Sequence, residues 1–463
     1  MSAISKVSVA VVSWNGLEHL KVLLPALEEQ RDPGVPWEVL VLDNGSRDGS
    51  AEWVRRHHPG VRVVESDSNL GFCAGNNRLV EATDGDAVAL LNNDTRPRPG
   101  WLAALVDALA SAPGDVAAVS GRIVDWEGER LDFARGVMTF DGHAFQLGFR
   151  RPLAEAGPPE VPEDGAELPF ACGGNMLVKR GSFLDAGGFD EAFFAYLEDV
   201  DLGWRLWSGG ERVLYADGAV VHHRSSATSD LLGLYNRGFL FERNALLTAY
   251  KNYEDGLWER MMPGILLTFM ARTRFLLVHE NPGGAALAVD PYAGHIADTA
   301  GRDGAGEAPP VAVEPPARLS DLPERWRRYG TAELGRRLVD RLRRDLASGW
   351  AALRRRGGEG AGGGGDAAPH LTGERTVAQL RAMSHFLSHL DAAADRRRAV
   401  QARRRRPDAE YFQRFPPYLV PTYPGDEELF ASPGFLDWLP EEPEIVVASL
   451  TDIMNMETRN SSH

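Results

Sequence analysis

Short apolar runs alternate with amphipathic stretches through the first part of the chain. VSVAVVS (Val7 to Ser13) reads as a buried strand, and Leu17 to Gln30 carries Leu20, Leu23, Leu24 and Leu27 at helical spacing. WEVLVLD (Trp37 to Asp43), VRVVES (Val61 to Ser66), DAVALLN (Asp86 to Asn92) and VAAVSGRIV (Val116 to Val124) repeat the strand pattern. Helical spacing returns from Ser50, which suits an N-cap, from Ala74 to Ala82 and from Trp101 to Ser111. Apolar strands alternating with helices predict an α/β fold, a mostly parallel sheet covered on both faces. In such sheets ligands sit beyond the carboxyl ends of the strands, which singles out Ser13 to Gly16, Asp43 to Ser46, Asn69 to Asn77 and Asn92 to Asp94.

From Arg130 to Leu168 the pattern loosens into short β-like pieces and a Pro/Glu-rich loop. A second ordered region follows, with helices near Ser182 to Ala186 and from about Leu197 to Ser208, and strands at Arg212 to Tyr215 and Ala219 to His223. Periodicity and composition predict five regions: an α/β domain over 1–230, which its motifs mark as catalytic, a helical extension packed on it over 231–282, a Gly/Ala/Pro-rich flexible linker over 283–317, a basic helical region over 318–406, and an acidic, Pro- and aromatic-rich tail over 407–463. Within the basic region, helices over Asp321 to Arg356 and Thr376 to Arg404 flank GGEGAGGGG.

Charge adds a division that hydropathy does not show. The chain of 463 residues has a net charge of −16, but residues 1–230 carry −15 while residues 318–406 carry +11. Two cysteines, Cys73 and Cys172, permit at most one disulfide, which excludes a disulfide scaffold and fits a reducing compartment. The N-terminal apolar run lacks a small-residue cleavage site and runs straight into Trp14-Asn15-Gly16, so it reads as the first strand. The apolar stretch Met261 to His279 is interrupted by Arg272 and Arg274, leaving less than a bilayer span.

Three carboxylate-bearing segments stand out: Asp43 and Asp94 at strand ends on one rim of the sheet, and Glu198, Asp199 and Asp201 at a helix start. Each alone is an ordinary turn former or cap. Asp201 has Arg205 four residues on, the spacing of a surface ion pair, and on a helix residues two apart diverge, so Asp199 and Asp201 do not face the same ligand. His222 and His223 end a strand, so only one of them points to a given face. Trp204, Trp207 and Phe189 read as core.

The blocks VSVAVVSWNG, VLVLDNGSRDGS, SNLGFCAGNN, LLNNDTRPRPGWL, GGNMLVKRGSFLDAGGFDEAFFAYLEDVDLGWRLWSGG and AVVHHRSSAT lie in the order and spacing of the family 2 inverting glycosyltransferases. Residues 5–230 resemble that family, most closely its bacterial rhamnosyltransferase-like and galactofuranosyltransferase-like members. The resemblance implies a GT-A fold, a nucleotide-diphosphate sugar donor, Mg2+ or Mn2+, and inversion at the anomeric carbon. A divalent ion suits that chemistry, because negative charge builds on the departing diphosphate. By resemblance Asp94 ends the metal motif Asn92-Asn93-Asp94, in which asparagine replaces the first carboxylate. Asp43 would bind base or ribose, Ser13, Trp14 and Asn15 would line the nucleoside pocket, and Gly71 and Gly75 would admit the donor beside Asn69 and Asn76, unless these glycines serve ordinary turns. Gly173, Gly174 and Asn175 would form the turn beneath the transferred sugar. Inversion needs a general base, assigned to Asp199, with Glu198 orienting the acceptor or steadying the loop. Related transferases place a metal-side histidine about two dozen residues after the base, which selects His223, with His222 as the alternative.

The resulting expectation is a cytoplasmic enzyme, peripheral at the inner face of the membrane, that transfers sugar from dTDP-rhamnose or a UDP-sugar to a surface glycan or polyprenol-linked glycan. A non-catalytic glycan-binding or scaffold protein is the alternative, motivated by Asn92. Leu334, Leu338 and Leu342 share a helix face in the basic region, which favours packing on protein or self-association over a lipid surface, and no nucleic-acid motif is present.

Overall fold

The computed structural model describes residues 4–224, 233–284, 373–422 and 426–454. Residues 1–276 and 372–463 form one compact unit and 277–371 a second, of which only the first few residues are described. The expected linker over 283–317 and the helix Asp321 to Arg356 lie almost wholly outside the described residues.

The large sheet runs β3 (Arg62–Glu65), β2 (Trp37–Asp43), β1 (Val7–Ser13), β4 (Ala87–Leu91), β10 (Asn175–Lys179), β6 (Val116–Asp125), β11 (Arg212–His223), β5 (Thr95–Pro97), with β7 (Leu131–Phe133) on β6. β3, β2, β1 and β4 are mutually parallel; β10 inserts antiparallel between β4 and β6, and β6 and β11 resume the first direction. All five residues of β4 are buried, as a strand covered on both faces requires. Helices α1 (Leu17–Glu28), α2 (Ser50–His57), α3 (Gly71–Ala82), α4 (Trp101–Ser111), α5 (Arg180–Asp185) and α6 (Glu198–Ser208) follow or link the strands.

Two local expectations change. Ser50 is not the cap of α2 but its first residue; Gly49 precedes it in the left-handed region, and the Ser50 hydroxyl and N–H both bond Asp48. The two strands expected over 212–223 are one, with a register shift between Ala216 and Val220 where Asp217 turns to Arg122 and the Tyr215 hydroxyl.

Downstream, α7 (Gly233–Asn252) and α8 (Asp255–His279) lead into α9 (Glu374–Ser388), α10 (Leu390–Arg403) and α11 (Asp408–Arg414). The boundary expected at 406 has no counterpart, since α9 and α10 lie on α7 and α11 lies on α6 in the same unit. Aromatic residues decide this. Trp204 is fully buried, donates its indole N–H to Asp408 at 3.1 Å and stacks on Tyr411, while Phe415 meets Trp207 edge-on. Phe189 is also in the core, as its pattern predicts. The helix α8 passes straight through both arginines, and among the described residues it is the one long and apolar enough to cross a membrane by length and composition. Arg272, buried within it, pairs with Asp141 at 2.9 Å and Asp426 at 3.0 Å.

Candidate active site

Parallel pairing brings the ends of β1, β2, β4 and β11 to one rim, and the antiparallel β10 starts there. A cleft of about 620 Å3 opens on this rim, lined by Trp14, Asn69, Gly71, Asn92, Asn93, Asp94, Gly173, Gly174, Glu198, Asp199 and His223 among others. The sequence-predicted groups are therefore largely in one place. A larger hollow of about 830 Å3, between residues 183–192, α6 and α10, contains none of the predicted donor, metal or base residues, and of the singled-out segments only Asn77 reaches it.

At the metal-motif side, buried Asp94 lies 3.3 Å from Nε2 of His223, whose Nδ1 is 2.9 Å from Asp132. Burial alone would lower the imidazole, but the hydrogen bonds and charges of Asp132 and Asp94 raise it to about 10. Burial opposes ionisation of Asp94 as well, yet the His223 hydrogen bond and charge hold it below the usual carboxylate range. His222 faces elsewhere, toward the Trp126 carbonyl and Arg98.

Across the cleft, Asp199 accepts the Gly173 N–H at 3.1 Å and the Val200 N–H at 2.9 Å. Buried Glu198 has Oε2 without a hydrogen-bond partner among the described residues. Burial raises both carboxyls above their ordinary values; the charge of Asp199 lifts Glu198 further, while the N–H bonds temper Asp199. Such a pair is a stronger proton acceptor than a solvated carboxylate.

The pair is presented by a strained loop. Phe194, Tyr196 and Leu197 are left-handed, with φ of 64, 71 and 64°. In residues with a Cβ this costs on the order of 1 kcal/mol each, so surrounding contacts must hold it. One such contact is Gly71, at φ 84°, where an added Cβ would stand 2.5 Å from the Phe194 ring.

Asp201, expected in a surface pair, is instead fully buried, because α7 covers it: it meets Arg205 at 2.8 Å, Lys251 at 3.0 Å and the Asn252 amide at 2.8 Å. Several residues expected to touch a donor sit away from the cleft. Asn175 is fully buried and satisfied by Trp101, Arg122 and Ala219. Asn76 donates to the Phe72 carbonyl of its own helix. Gly75 lets α3 rest on Val12 and Leu42, which an added Cβ would meet at 3.0 and 3.2 Å. Ser13 accepts from the Asn93 amide, Asn15 closes a turn with Ser46 and Arg47, and Asp43 accepts the Ser46 N–H at 2.7 Å.

Sequence reading placed Asn44 within the segment Asp43 to Ser46 but gave it no role; it bonds Asn69, Leu70 and Gly71 and so shapes the loop at the cleft. The sequence reading missed Asp132 and the wall made by Phe145, Phe149, Arg150, Tyr196 and Phe241. The one available signal was aromatic density between 133 and 149.

Residues 8–186 match the family described as Glycosyl transferase family 2. An N-acetylglucosaminyl-diphospho-decaprenol L-rhamnosyltransferase of Mycobacterium tuberculosis is 33% identical over 239 residues, covering 48% of this chain and 76% of the relative. A pre-mycofactocin glycosyltransferase of the same organism is 30% identical over 220 residues, covering 47% of this chain and 42% of its own. The crystal structure of GalNAc-T7 with UDP, GalNAc and Mn2+ aligns over 64% of this chain and 54% of that one, at 14% identity and a TM-score of 0.43. The family match and the relative, together with the sheet order, define a glycosyltransferase with a GT-A sheet. The chain belongs to glycosyl transferase family 2.

Proposed function

We propose that the cleft transfers a sugar with inversion from dTDP-rhamnose or a UDP-sugar to a hydroxyl of a lipid-linked glycan. The observation that carries this is the meeting of Asp94 and His223 with Glu198 and Asp199 in one cleft. Asp199 takes the proton from the acceptor hydroxyl as its oxygen bonds the anomeric carbon and the bond to the diphosphate breaks on the opposite face. Glu198, with an unpartnered oxygen, orients the acceptor. Trp14, Asn69 and Gly71 line the donor side, and the aromatic wall with Arg150 faces the acceptor. A decaprenol-diphosphate-linked acceptor and a rhamnosyl donor are supported by the name of the 33% identical relative. A lipid-linked acceptor would bring the enzyme to a membrane surface.

The donor set fits a divalent ion. Asp94 offers a hard carboxylate oxygen, and the Nδ1 contact to Asp132 turns Nε2 of His223 toward Asp94, the arrangement that orients a histidine ligand; an ion there would have to displace the proton that the two carboxylates otherwise hold on the ring. Among the described residues no group of three or more His, Cys, Asp or Glu is placed to hold a metal ion, so the remaining ligands would have to be diphosphate oxygens and water. Bound there, Mg2+ or Mn2+ would neutralise charge on the departing diphosphate.

Thermal shift and calorimetry with UDP and dTDP, with and without Mn2+, test this reading. The nucleotide is expected to stabilise the parent chiefly when Mn2+ is present. His223→Ala is expected to weaken Mn2+ binding roughly tenfold or more. Equal stabilisation without metal, or unchanged Mn2+ affinity in the variant, would remove the metal from the reading.

A further inference from the structure

We infer that Asn244, on α7, is a positioning residue for the Glu198–Asp199 pair. The inference rests on the proposed role of that pair in transfer. Asn244 is fully buried and does not line the cleft. Its amide nitrogen points to three carbonyls of the strained loop: Phe193 at 3.1 Å, Ala195 at 2.8 Å and Tyr196 at 2.8 Å. Arg243 completes the clamp, donating Nη2 to the Phe193 carbonyl at 2.8 Å and Nε to the Asn244 side-chain oxygen at 2.9 Å. The second bond fixes which end of the amide faces the loop.

The remaining carbonyl of that run, Phe194, is held from the other side, where it accepts the Phe72 and Cys73 N–H groups at the start of α3. Four successive carbonyls, 193 to 196, are thus gripped just before Glu198, three of them (193, 195 and 196) by α7 and one (194) by α3. Left-handed φ at Phe194, Tyr196 and Leu197 is what turns those carbonyls to the two helices, and the grip in turn holds that backbone. Without the amide the loop relaxes toward ordinary φ, and the first turn of α6 rotates with it. Asn244 therefore acts through the backbone on groups it does not touch.

The test is Asn244→Asp, of nearly the same shape but lacking the N–H donors, beside Asn244→Ala, which removes the amide without adding a buried charge. Turnover is expected to fall about a hundredfold, as for other small displacements of reacting groups. Affinity for nucleoside diphosphate with Mn2+ should change far less than turnover, because Asp94 and His223 sit on strands the clamp does not reach and Gly71 alone of the donor-side residues packs on the loop. Hydrogen exchange of peptides covering 193–201 should quicken while that of β1 and β4 is retained. The exchange measurement needs no turnover, so it reads the clamp even if the proposed reaction is wrong. Should Asp fail to fold, the Ala variant carries the test. Parent-like turnover and exchange in either folded variant would overturn the inference, as would loss of nucleotide affinity in proportion to turnover.

Discussion

Asp199→Asn is expected to lower turnover by about a thousandfold, within the range that general-base removal spans. The substitution keeps shape, and an amide oxygen can still accept the Gly173 N–H that Asp199 accepts at 3.1 Å. What disappears is the site for the acceptor's proton. Donor affinity, read by calorimetry with Mn2+, should stay within a few-fold, since ground-state binding does not use the base. In the parent, burial raises the pair, so the rate should rise with pH through an apparent value above the ordinary carboxylate range. Glu198→Gln should cost less, since it leaves the base and the burial that raises it in place. A variant at position 199 that turned over within tenfold of the parent would move the base elsewhere.

Asp201→Ala should destabilise the fold by about 3–5 kcal/mol, the usual cost of breaking a buried ion pair from one side. Lys251 is only 2% exposed and would keep Asp190 alone as counter-charge. Urea unfolding of the two proteins measures the difference, and a loss below about 1 kcal/mol would mean that Lys251 finds water. The same carboxyl makes stability depend on acid. Burial opposes its ionisation, but Arg205 and Lys251 lower it to about 2 from 3.8. Its stabilisation is therefore fully present above 3.8 and is lost as pH falls toward 2, a change on the order of 2 kcal/mol. In the Asp201→Ala protein that part of the acid dependence should vanish.

Much of this site follows from alternation alone. The apolar runs ending at Ser13, Asp43 and Leu91 fix strand direction, and direction fixes which rim gathers Asn92, Asn93 and Asp94. The destinations of individual polar side chains were not legible, because their partners lie far along the chain. Asn175 is consumed by Trp101, Arg122 and Ala219, and Asp201 by Lys251 and Asn252. Asp132 escaped notice because β7, β8 (Gly136–Met138) and β9 (Ala144–Gln146) are three residues each, too short for any period to register. The strained loop was hidden for a different reason: left-handed backbone is normally signalled by glycine, and here Phe194, Tyr196 and Leu197 adopt it.

The bond from the Trp204 indole to Asp408 joins residues 204 positions apart, and Tyr411 and Phe415 close over the same helix. A nascent chain can pair β1, β2 and β4 early, but the helix that begins at Glu198 gains its contacts to Asp408, Tyr411 and Phe415 only after those residues have left the ribosome. The rim proposed for the donor can thus form before the helix carrying the proposed base is fully packed. Synthesis itself would then order maturation, with the proposed donor surface first and the proposed transfer pair last.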